Sequence, residues 1–254
     1  MLFDSHAHYD DEKFQDDRDE VLSKANKDGI SYILNAATDI DTSLMCIEFA
    51  EKFDFVYASV GVHPHSASIL DDSTLEKISE LAGKPKVVAI GEIGLDYYYD
   101  YSPKDVQKYW FKRQLDLAVE LSMPAIIHDR DAHEDIINII KESQISQVGG
   151  VMHCFSGSVE MAKILLDMGF YLSFGGPVTF KNARKAIEVL QYVPMDRMLI
   201  ETDSPYLSPE PLRGKRNDSR NVRLVAEKIA EIKGLDFEVV ASVTLNNARR
   251  LFGI

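Results

Sequence analysis

Apolar residues recur along the chain in two alternating rhythms. Short runs of strand-like composition predict eight β-strands: Leu2 to Ser5, Ser31 to Ala36, Phe55 to Val62, Lys86 to Glu92, Ala125 to His128, Gly150 to Cys154, Tyr171 to Phe174 and Met198 to Thr202. Between them, apolar residues return at helical spacing, predicting helices near 16–28, 41–53, 72–82, 103–121, 131–142, 158–168, 181–191 and 219–232. Nearly all-apolar strands, each followed by a helix, imply a parallel sheet buried on both faces. Eight such units in 254 residues have the size and count of a (β/α)8 TIM barrel. The tail from Asp236 to Ile254 reads as one or two short helices packed outside. No Pro/Gly/Ser-rich linker, low-complexity tract or repeat interrupts the pattern, so residues 1–254 are expected to form a single domain.

Composition adds exclusions. With 45% hydrophobic and 27% charged residues, neither disorder nor a fibrous repeat fits. Cys46 and Cys154 are the only cysteines, too few for a disulfide framework and typical of a reducing compartment, so the expected location is the cytoplasm. The N-terminus lacks a basic segment followed by an apolar stretch, and no uncharged run approaches about 18 residues, so neither export nor a membrane is expected. The formal net charge of −13 opposes nonspecific binding to nucleic acid or anionic membrane. A polyanionic substrate must therefore be gripped locally.

The candidate chemistry lies at the C-terminal ends of the predicted strands, where barrel enzymes gather their sites. Strand one ends in Asp4-Ser5-His6-Ala7-His8, strand three in Gly61-Val62-His63-Pro64-His65 and strand four in Gly91-Glu92-Ile93-Gly94-Leu95-Asp96. Strands five and six end in Ile127-His128-Asp129-Arg130 and Met152-His153-Cys154-Phe155, and strand eight in Glu201-Thr202-Asp203-Ser204-Pro205. His6 and His8, two apart in extended chain, project to one side and form a natural chelate. Four imidazoles and two carboxylates around one barrel mouth suffice for two divalent ions sharing a carboxylate. The expected sets are His6, His8, Glu92 and Asp203 for one ion and Glu92, His128 and His153 for the other. Imidazole-rich ligation favours Zn, Mn, Fe, Co or Ni over a purely magnesium site. Cys154 is expected to point to the opposite face, as packing. A pair of ions implies hydrolysis, with Asp203 also able to accept the proton of the attacking water. Mixed ligation alone leaves phosphoester and amide substrates both open.

The ordered motifs resemble the TatD family of metal-dependent deoxyribonucleases, among the amidohydrolase-like barrels. The resemblance rests on Phe3 to His8, Gly61 to Pro64, Gly91 to Tyr97, Ile127 to Arg130, Met152 to Gly157, Ser173 to Gly176 and Glu201 to Leu207, in order along the whole chain. It implies a TIM-barrel nuclease, exonuclease-like and of 3′–5′ sense, with two divalent cations (Zn, Mn, Mg, Co or Ni). Its metal ligands carry over onto His6, His8, Glu92, His128, His153 and Asp203. His63 matches the family's additional histidine near the metals, where it could contact phosphate or the leaving group, or else stack structurally beside Pro64. Related barrels that hydrolyse cyclic amides often place a carbamylated lysine where this chain has Glu92, which disfavours amide chemistry.

For the substrate grip, Leu212-Arg213-Gly214-Lys215-Arg216-Asn217 follows the strand-eight motif and supplies Arg213, Lys215 and Arg216. Arg130 offers a guanidinium able to hold a phosphate bidentately. Given the acidic whole, the expected partner is DNA as a single strand or strand end, with no obligate protein partner. Tyr97, Tyr98, Tyr99 and Tyr101 could stack on bases or pack as a lid. Asp96 and Glu201 are expected to accept hydrogen bonds from ligand histidines. Hydrolysis of another phosphoester or amide, and a noncatalytic metal-dependent binding module, are the alternatives.

Overall fold

The structure, a computed structural model, describes residues 1–254. Its strands are β1 (Leu2–Ala7), β2 (Ile30–Asn35), β3 (Val56–Val60), β4 (Val87–Asp96), β5 (Ala125–Arg130), β6 (Gly150–Met152), β7 (Tyr171–Phe174) and β8 (Met198–Ile200). They pair in parallel in chain order as one eight-stranded sheet. The helices that follow the strands in turn are α1 (Arg18–Lys27), α2 (Ile40–Lys52), α3 (Asp72–Ala82), α4 (Lys104–Glu120), α5 (His133–Glu142), α6 (Val159–Asp167), α7 (Arg184–Tyr192) and α8 (Val222–Lys233). Every predicted unit is present, and the TIM-barrel expectation holds. No helix is long and apolar enough to cross a membrane.

The barrel is joined between β1 and β8 less by a ladder than by side chains. Asp4 accepts the Thr202 N–H at 2.8 Å and the Thr202 hydroxyl at 2.6 Å, and the Ser5 hydroxyl donates to the Ile200 carbonyl at 3.0 Å. Above these, the Asp203 N–H donates to the His6 carbonyl at 2.9 Å and the His8 N–H to the Ser204 carbonyl at 2.7 Å. The seam thereby sets His6, His8 and Asp203 side by side. β8 is shorter than predicted because Glu201 and Thr202 leave the regular ladder to make it.

The period of two sorts the barrel interior into layers. Phe3, Ile126, Val151, Tyr171 and Leu199 are buried in one apolar cluster near the N-terminal end. Two residues further along the same strands stand Ser5, His128, His153, Ser173 and Glu201. Each strand thus steps from an apolar floor to a polar mouth.

The chain's tail differs from expectation. It forms one 16-residue helix, α9 (Phe237–Phe252), rather than one or two short ones, and Asp236 precedes it. Leu245, Ala248 and Phe252 of α9 belong to the same cluster as the interior floor residues, and the Phe252 ring lies 6.0 Å from that of Phe3. Helix α9 therefore closes the N-terminal end of the barrel. The pattern of the tail shows an apolar face but not what it covers.

Candidate metal centre

Glu92 sits near the top of β4, where two glycines clear the way for it. A Cβ on Gly91 would lie 2.6 Å from the Ile126 Cβ, and one on Gly94, at φ +145, would lie 2.0 Å from the His128 carbonyl oxygen. Only glycine lets β4 approach β5 this closely. Glu92 is 3% exposed, and its two oxygens face different groups of nitrogens.

Oε2 lies 3.2 Å from His6 Nε2 and 3.6 Å from His8 Nε2. Those two nitrogens are 3.1 Å apart, and Asp203 Oδ1 is 3.8 Å from the first and 3.3 Å from the second. Oε1 lies 2.7 Å from His128 Nδ1 and 2.8 Å from His153 Nε2, which are 3.1 Å from each other. The structure thus brings together all six residues expected to bind metal, divided on Glu92 in the way the sequence indicates.

Hydrogen bonds on the far side of the rings fix which nitrogen is free. His8 Nδ1–H donates to the Ala36 carbonyl at 2.9 Å, turning the Nε2 lone pair inward. His128 Nε2–H donates to Asp96 Oδ2 at 3.3 Å, turning Nδ1 inward. His6 Nδ1, His153 Nδ1 and Glu201 Oε2 are buried without partners, and His153 Nδ1 lies 3.5 Å from Glu201 Oε1. With both Nε2 atoms turned to the centre, the two Nδ1–H groups face this carboxylate.

The set fits divalent cations. Neutral imidazole lone pairs converging at 3.1 Å repel unless a proton or cation lies between them. Ligands about 2.0 to 2.2 Å from a shared ion stand roughly 3.0 to 3.6 Å apart, close to the spacings found. His63 differs from the other four: its Nδ1 accepts the His65 N–H at 3.2 Å, so the neutral ring carries its proton on Nε2, 3.5 Å from Glu92 Oε1. It offers a donor rather than a lone pair.

Electrostatics agree. Burial would raise the Glu92 carboxyl, but the imidazoles of His153, His63 and His6 gathered around it and the His128 hydrogen bond hold it well below the carboxylate range. Burial would likewise raise Asp203, yet His8 lowers it. Burial would lower His8, yet the Asp203 hydrogen bond and the Glu92 charge raise it to about 9 without a metal.

The centre opens into a pocket of about 700 Å³. One flank carries His63, His65, Tyr99, Tyr101 and Arg130, and the other Asp10, Asp11, Tyr206 and Leu207. The Arg130 guanidinium rests 4.0 Å from the centroid of Tyr98 and 4.7 Å from that of Tyr99. Tyr99 and Tyr101 stack at 5.3 Å. Tyr97 instead hydrogen-bonds Asp135 and packs. His65, left out of the expected site, lines the pocket and donates from Nε2 to Asp96 Oδ2 at 2.8 Å. Its spacing from His63 was the sequence signal for it.

Of the basic loop, none of Arg213, Lys215 and Arg216 lines this pocket. Arg216 is held by Asp17 in a bidentate pair at 2.8 and 2.6 Å, so its fork is already filled. That corrects its expected role as a free phosphate grip. Arg213 packs 4.3 Å from the Phe180 centroid, and both it and Lys215 are exposed. Cys154 adopts φ +43 and lines a cleft beside the centre together with Phe155, Phe174 and Ala186 of α7.

The family described as TatD related DNase matches residues 3–253. The chain is 51% identical to the uncharacterized metal-dependent hydrolase YabD of Bacillus subtilis, over the whole of both. It is 35% identical to the 3′-5′ ssDNA/RNA exonuclease TatD of Escherichia fergusonii, covering 100% of this chain and 99% of that one. The crystal structure of YjjV, a TatD homolog from Escherichia coli K12, superposes with a TM-score of 0.94 at 29% identity, covering 100% of this chain and 98% of that one.

Proposed function

The chain belongs to the family of TatD related DNases and is a metal-dependent hydrolase, and from that premise we propose that it trims DNA, and RNA with it, from the 3′ end of a single strand. The observation that carries the reading is Glu92, each of whose oxygens faces its own pair of imidazole nitrogens. His6, His8, Glu92 and Asp203 would hold one divalent ion, and Glu92, His128 and His153 a second. A bound pair supplies an activated water and charge stabilisation for the phosphoryl and leaving oxygens. The nitrogen-rich donor set favours Zn, Mn, Co or Ni, with Mg the poorer match.

The chain's own residues do the rest. Asp203, held ionised by His8, accepts the proton of the attacking water. His63 donates from Nε2 to a phosphate or leaving oxygen. Asp96 and Glu201 orient His128 and His153 through their outer N–H groups. Arg130, braced on two tyrosine rings, grips a phosphate, and Tyr99 with Tyr101 stacks on a base. Arg213 and Lys215 lie outside the pocket, where only a longer strand reaches them. We place this activity in a single domain and in the cytoplasm, in keeping with two unpaired cysteines.

Incubating the protein and a Glu92→Ala control with end-labelled single-stranded DNA or RNA and Mg²⁺, Mn²⁺ or Zn²⁺ tests the reading. The expected result is a ladder shortening from the 3′ end, absent in the control. Intact strands with every metal, alongside hydrolysis of a cyclic amide or small phosphodiester, would replace it.

A further inference from the structure

A second cleft, about 290 Å³, lies beside the metal centre. Phe155, Phe174, Phe180, Val178 and Cys154 form its apolar wall, and Asn182 and Lys185 its polar lip. It is separated from the main pocket by a single thickness of chain. Cys154 follows His153 in sequence, and a Cβ on Gly176 would lie 1.9 Å from the carbonyl oxygen of Leu207, which lines the main pocket.

The cleft's surroundings reverse the charge of the whole. Phe180-Lys181-Asn182-Ala183-Arg184-Lys185 has three cations and no acid, in a chain of net charge −13. Lys181, Arg184 and Lys185 are exposed, and none of their charges is taken by an ion pair. Arg213, also unpaired, lies against Phe180 from the other side. Arg216 and Arg220 of the nearby loop, by contrast, are each matched to an aspartate. Cations left free around an aromatic slot are the combination that holds single-stranded nucleic acid without reading its sequence.

We propose that this cleft is a subsite for the strand being trimmed: it takes the base of a nucleotide upstream of the end lying at the metal centre, while Lys181, Arg184, Lys185 and Arg213 bind the adjoining phosphates. The proposal rests on the nuclease reading and assigns a direction to it. The strand enters across the ends of β6 and β7. Lys185 also lines a groove between α5 and α6, which extends the path outward.

The test compares kcat/KM of the metal-loaded enzyme on a dinucleotide and on a decamer of the same DNA, in the wild type, in Lys181→Glu/Arg184→Glu/Lys185→Glu and in Phe180→Ala. The decamer-to-dinucleotide ratio is expected to fall about tenfold or more in the triple variant. The salt dependence of decamer binding should flatten by about 0.7 in log–log slope for each phosphate no longer held. Phe180→Ala is expected to lower the ratio about threefold or more while leaving the salt slope unchanged. A wild type that cuts the decamer, with a ratio the charge reversals do not alter, overturns the subsite alone. A reduced ratio confined to the charge variant overturns the placement of a base in the cleft. A wild type that cuts neither substrate overturns the nuclease reading and this inference together.

Discussion

Ile126 and His128 lie two residues apart on the same face of β5, as do Val151 and His153 at the end of β6 and Leu199 and Glu201 at the end of β8. One layer separates two kinds of matter. The lower residues pack against Phe3 and α9 in a dry apolar cluster. The upper ones are polar groups whose partners are mainly one another, and several atoms have none. Burying such groups costs stability unless they are compensated, whereas burying the floor supplies it. The floor therefore carries stability for a mouth that is arranged for chemistry.

The strongest way to break this division is to alter the mouth and look for damage below. Glu92→Gln is expected to reduce the proposed nuclease activity by more than about 10²-fold and to weaken both ions at once. Calorimetric titration with Zn²⁺ should show fewer than two tight sites. If the variant instead keeps two tight sites but melts far below the wild type, mouth and floor are not separable in this way.

The converse change is Phe252→Ala at the floor. It should cost about 3 kcal/mol, lowering the melting temperature by roughly 6 to 12 °C, while metal stoichiometry measured well below the transition stays unchanged.

Asp96→Asn sharpens the comparison within the mouth. His128 and His65 both donate to its Oδ2. Removing the charge should weaken the ion at His128 and His153 by about 10- to 100-fold, with a smaller effect at His6 and His8. Competition with a chelator reads the difference.

A pH series separates the layers without mutation. Without metal, His8 is raised to about 9 and His153 well above its ordinary value, so both hold protons that the unfolded chain releases near pH 6.5. Their contribution is complete below that pH and is lost as pH rises through the folded values. Melting temperature of the metal-free protein should therefore fall between pH 6.5 and 9. The metal-loaded protein should show the opposite trend, because ligation requires unprotonated imidazoles.

The smallest effect concerns the basic loop. The Arg216–Asp17 pair is about one-third exposed on each side, so Arg216→Ala should cost less than about 1 kcal/mol in chemical denaturation.

The floor was legible as fold and the mouth as chemistry, for different reasons. Apolar runs and helical spacing mark all eight units because burial imposes periodicity on sequence. The six clustered residues were legible because His and carboxylate positions fell repeatedly at strand ends. What pairing and packing decide was not legible. Arg216 and Arg213 look alike in sequence, yet Asp17 occupies one and Phe180 supports the other. The apolar face of α9 was visible, but its target at the barrel's end depends on the closed sheet. The spacing of His65 from His63 hinted at a place in the pocket, but its side-chain partner Asp96, 31 positions away, did not show in the sequence.

The seam between β1 and β8 gives the barrel a sense of completion. Asp4 and Thr202, 198 positions apart, join the first strand to be synthesised to the last. His6 and His8 lie on one side of that join and Asp203 on the other. A nascent chain on the ribosome carries His6 and His8 from its first residues, gains Glu92, His128 and His153 with its fourth, fifth and sixth strands, and gains Asp203 only after its eighth. Synthesis thus has its own timer: the ligand set of the first ion stays incomplete until the eighth strand has been made.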